Sequence, residues 1–141
     1  MERKNTDQLQ QELMTGNDLD RVLADNDSSF QGYALQERLQ TLFQRREISK
    51  TALARLSGIS EVYLHQVFSG RRTPSRNRLL CLCFGLGASV EEAQDLLRHA
   101  RLAPLYSRDR RDAIVIFGLS HGMTLEEVND KLYAEDANTL C

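Results

Sequence analysis

Apolar residues recur at helical spacing along most of this chain. Leu35, Leu39 and Leu42 with Phe43 place a helix over 32–46. Ser49 stands where an N-cap is expected, and the helix behind it, Lys50 to Leu56, shows Leu53 and Leu56 on one face. Ser57-Gly58-Ile59-Ser60 reads as a turn. Gly58 can take the left-handed conformation that ends a helix, and Ser60 caps the next one, Glu61 to Phe68, which Ser69-Gly70 ends. Arg71 to Ser75 is a loop, and Ser75 caps a fourth helix through about Phe84, closed by Gly85 and Gly87. Ser89 caps a fifth, with Val90, Ala93, Leu96 and Leu97 on its buried side.

Past Pro104 the pattern starts again. Asp109 is the expected cap of a helix to Leu119. Its stretch Ala113 to Phe117 is β-branched enough for a strand, but it belongs to an internal repeat. Residues 78–86 match 111–119 at an offset of 33, and 89–95 match 124–130 at an offset of 35, so the second copy carries two extra residues in its turn. Each copy reads as apolar helix, glycine turn and capped amphipathic helix. Ser89 with Glu92, and Thr124 with Glu127, are capping-box pairs. The expected use is a second helical hairpin stacked on the first, extending one core. Leu125, Val128, Leu132 and Tyr133 form an apolar face that either completes that core or makes a dimer interface. Arg108, Arg110 and Arg111 read as a solvated helix start, in local ion pairs with Asp109 and Asp112, or else as a contact for a partner or DNA.

Before residue 31 the chain is polar and acidic. Leu9, Leu13 and Met14 make a short stripe, and Asp18 caps a turn carrying Leu19, Val22 and Leu23. Such short pieces need a docking site to persist as helices. Three segments result: an acidic arm (1–30), a helical domain (31–103) and a C-terminal hairpin (104–141). The fold class is all-α.

The 141 residues, 41% hydrophobic and 27% charged, suit one globular domain with an appendage. No apolar run approaches a membrane span, and the first residues lack the apolar core of a secretory signal, so a cytoplasmic location is expected. The three cysteines suggest no disulfide framework, and they and the three histidines have no metal-ligand spacing. No nucleophile motif or phosphate-binding glycine loop is present, so neither an enzyme nor a cofactor is expected.

The strongest signal is Ile48 to Ser75: a short helix, a tight glycine turn and a second short helix. ISKTALARLSGISEVYLHQVFSGRRTPS resembles the Cro/repressor-type helix-turn-helix family, also called the XRE family. The matching residues are Leu53 and Ala54 in the first helix and Gly58, Ile59 and Ser60 in the turn. Leu64 and Val67 match in the second helix, and Gly70, Arg71, Pro74 and Ser75 after it. The resemblance implies a lambda-repressor-like domain of five helices over about 31–99, extended here by the hairpin. It also implies a bacterial or phage-type transcriptional regulator, a repressor, that binds double-stranded DNA as a homodimer.

Packing of Leu53, Leu64 and Val67 leaves Glu61, Val62, Tyr63, His65 and Gln66 facing outward as the base-reading set. Gln66 suits adenine, Glu61 suits cytosine N4, and Val62 suits a thymine methyl. Tyr63 and His65 can reach a base or a phosphate. Lys50 and Thr51 lie where the family holds the DNA backbone, joined by Ser60, Arg71 and Arg72; Arg45 and Arg46 are weaker phosphate candidates. Arg76 and Arg78 read as a solvated face. The helix 61–68 holds no Arg or Lys, which motivates an alternative: a protein-interaction adaptor or antitoxin-like module, its partner bound through the acidic arm or the hairpin.

The formal net charge of −2 argues against DNA only as a whole-chain figure. Residues 1–30 hold seven acids and three bases, residues 31–85 nine bases and three acids, and residues 86–141 ten acids and six bases. Positive charge is concentrated on the helix-turn-helix segment. The acidic flank suggests an arm that competes with phosphate for it.

Overall fold

The computed structural model describes residues 6–25 and 31–141. Among the described residues there are nine helices and no strand: α1 (Thr6–Thr15), α2 (Leu19–Asp25), α3 (Gln31–Arg46), α4 (Lys50–Leu56), α5 (Glu61–Phe68), α6 (Arg76–Leu86), α7 (Val90–His99), α8 (Arg110–Ser120) and α9 (Leu125–Ala134). The protein is all-α, with a helix-turn-helix domain followed by two further helices.

Local chemistry sets the boundaries. Ser49, Ser60, Ser75, Ser89, Asp109 and Thr124 each accept a backbone N–H of the first turn with a side-chain oxygen. This satisfies a donor the helix cannot. At the other end, Gly58, Gly70, Gly87 and Gly122 all have φ between 62° and 81°. The N–H after each reaches back five residues: Ile59 to Ala54, Arg71 to Gln66, Ala88 to Cys83 and Met123 to Gly118.

Gly85 does not close α6, contrary to the sequence expectation. The helix runs to Leu86, and only Gly87 is left-handed. Gly85 is buried in the helix, where a Cβ would lie 2.0 Å from Ser57 Oγ and 3.0 Å from Leu53 Cδ1. Its missing side chain lets α6 lie directly on the end of α4. Ser57 Oγ is enclosed there without a hydrogen-bond partner.

α6 is the central element. Leu79, Leu80, Cys81, Leu82 and Cys83 are all fully buried, against Leu39 of α3, Leu53 of α4, Leu64 and Val67 of α5, and Leu96 and Leu97 of α7. Each such leucine contributes about 1.5–3 kcal/mol. The same cluster takes in Val115 of α8 and Leu125, Val128 and Leu132 of α9. The apolar face of α9 therefore completes this core, and only Tyr133, 79% exposed, points away. Leu53 of the same apolar face is fully buried, whereas Leu56 is 38% exposed.

The segment between α7 and α8 is fastened by side chains. Arg76 donates to Ala103 O (2.9 Å) and Pro104 O (3.0 Å) and forks onto both oxygens of Asp112 (3.2 and 2.9 Å). Asp112 also accepts from Tyr106 N (3.0 Å), and Gln94 bonds both the N–H and the carbonyl of Leu105. Two expectations change here. Arg76 is no solvated residue, and Asp112 pairs across the fold rather than with its neighbours. Arg110 pairs with Glu135, and Arg111 donates to the Asn138 and Thr139 carbonyls and to Asn77 Oδ1. This seats the C-terminal tail so that Leu140 is buried and Cys141 Sγ lies beside Gly58.

Residues of the arm behave differently. Val22 is buried, while Leu13, Met14, Leu19 and Leu23 are exposed.

Candidate nucleic-acid interface

α5 is anchored from within by Leu64 and Val67. Gly70 is required where it leaves α5, since a Cβ there would meet Gln36 Nε2 of α3 at 1.9 Å. Glu61, Val62 and His65 face outward, with Gln66 half-buried beside them. Val62 is 68% exposed, which is unusual for a large apolar side chain and leaves its methyls free for contact.

Five of the ten expected site residues converge. Lys50, Val62, His65, Gln66 and Arg71 line one shallow open cleft of about 460 Å³, together with Gln40, Phe68 and Ser69. Thr51 and Ser60 are exposed outside it, on the first turn of α4 and at the cap of α5. Ser60 Oγ accepts from Tyr63 N (3.1 Å). Glu61 stands at the start of α5, outside the cleft.

Tyr63 is half-buried at the side of α5. The guanidinium of Arg72 lies 5.2 Å from its ring centre, and that of Arg78 lies 5.7 Å away. Such contacts hold flexible cations in place. Arg72 Nε also donates to Gln66 Oε1 (3.0 Å), which leaves that oxygen a second lone pair and the amide N–H₂ for another partner. Lys50 Nζ sits 5.3 Å from the centre of the Phe68 ring, itself packed edge-on against Phe43. Arg78, Gln40 and Phe68 were missed as site residues. Arg78 lies fifteen positions from Tyr63 across a loop, so no helical spacing links them.

Charge is distributed more sharply than the sequence tally suggests. Arg38 pairs with Asp95 (2.7 Å), Arg45 forks onto Glu92, and Arg76 onto Asp112. Arg45 is therefore engaged in holding α3 to α7 and does not stand free for a phosphate. Its bond is the main cause that holds Glu92 below the usual carboxylate range. Among the described residues no carboxylate pairs with Lys50, Arg71, Arg72 or Arg78. These four surround α5.

Among the described residues no group of His, Cys, Asp and Glu is arranged to hold a metal ion, and no helix is long and apolar enough to cross a membrane. Burial pushes the Cys81 and Cys83 thiols up to about 12, which favours the protonated form.

No curated protein and no solved structure matches the chain. Residues 34–96, from the first buried turn of α3 almost to the end of α7, match the helix-turn-helix domain family, which supports a DNA-binding helix-turn-helix in this part of the chain.

Proposed function

We propose that this chain is a sequence-specific DNA-binding transcriptional regulator of the Cro/repressor (XRE) type. It acts as a repressor in the cytoplasm, bound to double-stranded DNA as a homodimer, and reads the major groove with α5. The observation that carries this reading is the ring of four cations without carboxylate partners around an outward helix face, in a chain whose other arginines on α3 and α6 are largely neutralised. Repression requires occupancy of DNA and no catalytic group. In this reading residues 31–103 form the DNA-binding unit, 104–141 a hairpin that braces it, and 1–30 an arm.

The roles follow from exposure. Glu61, Val62, His65 and Gln66 address base edges, and Lys50, Thr51, Ser60, Arg71 and Arg72 address phosphates. Tyr63, with the guanidiniums of Arg72 and Arg78 both close to its ring, positions these cations in this reading more than it reads a base. An adaptor on the same fold is the second reading, favoured by the exposed Val62 and the absence of Arg and Lys from α5.

A salt series with random duplex DNA separates the two. If Lys50, Arg71, Arg72 and Arg78 each neutralise one phosphate, the slope of log K against log salt is about −3.6 for each protomer and about −7 for the dimer. Arg71→Ala with Arg72→Ala should weaken binding to every sequence alike and flatten that slope. Gln66→Ala should relax preference at particular bases, read by selection from a random pool. No measurable binding at low salt would reject the regulator reading.

A further inference from the structure

Two apolar surfaces of this chain stand uncovered, and they carry opposite charge. The first belongs to α8. Its inner side, Asp112, Val115 and Gly118, is buried, yet its outer side is apolar as well, with Ala113 and Ile114 half-buried and Phe117 exposed. A helix apolar on both sides is usually enclosed on both sides. With Met123 these residues floor an open groove of about 590 Å³ between α8 and α9, walled by Arg110, Lys131 and Glu135. Phe117 is 56% exposed, its ring stacked on His121 at 3.8 Å. Arg110 and Lys131 both bond Glu135, at 3.2 and 3.1 Å. Two cations share one carboxylate, so the rim keeps a positive excess.

The second surface is the arm. Leu13, Met14, Leu19 and Leu23 are exposed on α1 and α2, and residues 6–25 hold five acids against one base. An acidic, leucine-bearing helix pair complements an apolar groove with a cationic rim. A second groove does not, because two positive rims repel. Within one chain both surfaces are exposed, so the arm does not cover its own groove.

We propose that the α1–α2 arm of a second copy of this chain docks in the α8–α9 groove, each copy supplying one arm and one groove. Reciprocal exchange closes into a two-fold dimer, whereas one-way exchange would continue into a filament. This inference concerns the arm and the hairpin and stands whether or not α5 reads DNA.

Light scattering on the full chain over a concentration series tests it. The unaltered chain should be a dimer. Phe117→Asp should be a monomer, and so should Leu13→Glu with Leu19→Glu. Mixing these two variants should restore a dimer at the top of the concentration series, held by one arm–groove contact instead of two and therefore weaker than that of the unaltered chain. Recovery on mixing also shows that both variants are folded. Phe117→Ser and Leu19→Ser, a softer pair, should repeat the pattern. Arg110→Glu with Lys131→Glu should raise the dissociation constant about tenfold. A monomeric full chain, a dimer that survives the arm substitutions, or a mixture of either pair that stays monomeric would overturn the proposal.

Discussion

The hairpins α6–α7 and α8–α9 share a pattern of sequence and differ in what surrounds them. Both turns carry a left-handed glycine, Gly87 and Gly122, and both second helices open with a complete capping box. Both first helices place a buried glycine for close approach: Gly85 against Ser57, the C-cap of α4, and Gly118 against Val128 of α9. The burial differs. α6 is enclosed by α3, α4, α7 and α9, so five successive residues from Leu79 to Cys83 are fully buried. α8 is covered on one side, and only Asp112, Val115 and Gly118 are buried. The position of Leu79 in the first copy is Asp112 in the second, where Arg76 reaches it. Pattern sets helix, turn and cap. Neighbours set burial.

If that is right, equivalent changes in the two copies differ in cost. Leu82→Ala should have the largest effect, about 3–4 kcal/mol in urea unfolding, because its cavity is walled on every side. The expected transition remains a single one, since both hairpins feed the same cluster of buried side chains. Two separate transitions would show the second hairpin to be an independent unit.

Asp112→Ala should come next, at about 2–3 kcal/mol. Removing one partner of a buried ion pair strands the other. Here Arg76 retains 24% exposure and keeps its two carbonyl partners, so the loss falls below that of a fully enclosed pair. Replacing Asp112 with Asn, which keeps the acceptor for Tyr106 N, should recover part of it. Equal losses in the two variants would mean that charge rather than hydrogen bonding holds the segment 100–109.

Most of this architecture was legible in the sequence, because its signals are local. Ser49, Ser60, Ser75, Ser89, Asp109 and Thr124 announce helix starts by a chemistry that acts within three residues. What the sequence hid lies between distant elements. Gly85 looks like a stop, and only the position of Ser57 reveals it as a contact. Arg45 and Arg76 look like surface cations, and only the packing of α7 and α8 brings Glu92 and Asp112 to them. In the candidate interface the outward set on α5 follows from Leu64 and Val67. The Arg72–Tyr63–Arg78 grouping does not, since a loop joins its members.

The two phenylalanines of the repeat offer a smaller test. Phe84 is half-buried and packs towards Gly118, and Phe84→Ala should cost about 1–2 kcal/mol. Phe117→Ala, measured at concentrations where the chain is monomeric, should stay within about 0.5 kcal/mol. Comparable losses would show that the groove floor contributes to the monomer core.

The smallest expected effect separates the two capping boxes. Glu92 and Glu127 both hold their carboxyls below the ordinary value of 4.5, but for different reasons. Glu92 is lowered first by the hydrogen bond from Arg45, whereas Glu127 is lowered by its own cap, through the Thr124 N–H. A carboxyl lowered in the folded state stabilises it fully above the unfolded pKa. That contribution drains as pH falls through the folded value. Acid should therefore release the α3–α7 tether below about pH 4.5. Arg45→Ala should move the Glu92 titration, followed by NMR, back up towards the ordinary range and leave Glu127 where it was. If both carboxyls moved together, the hairpins would be electrostatically coupled and the caps could not be treated as local devices. If neither moved, the cap alone would account for Glu92, and the fork from Arg45 would contribute packing without selecting the charged form.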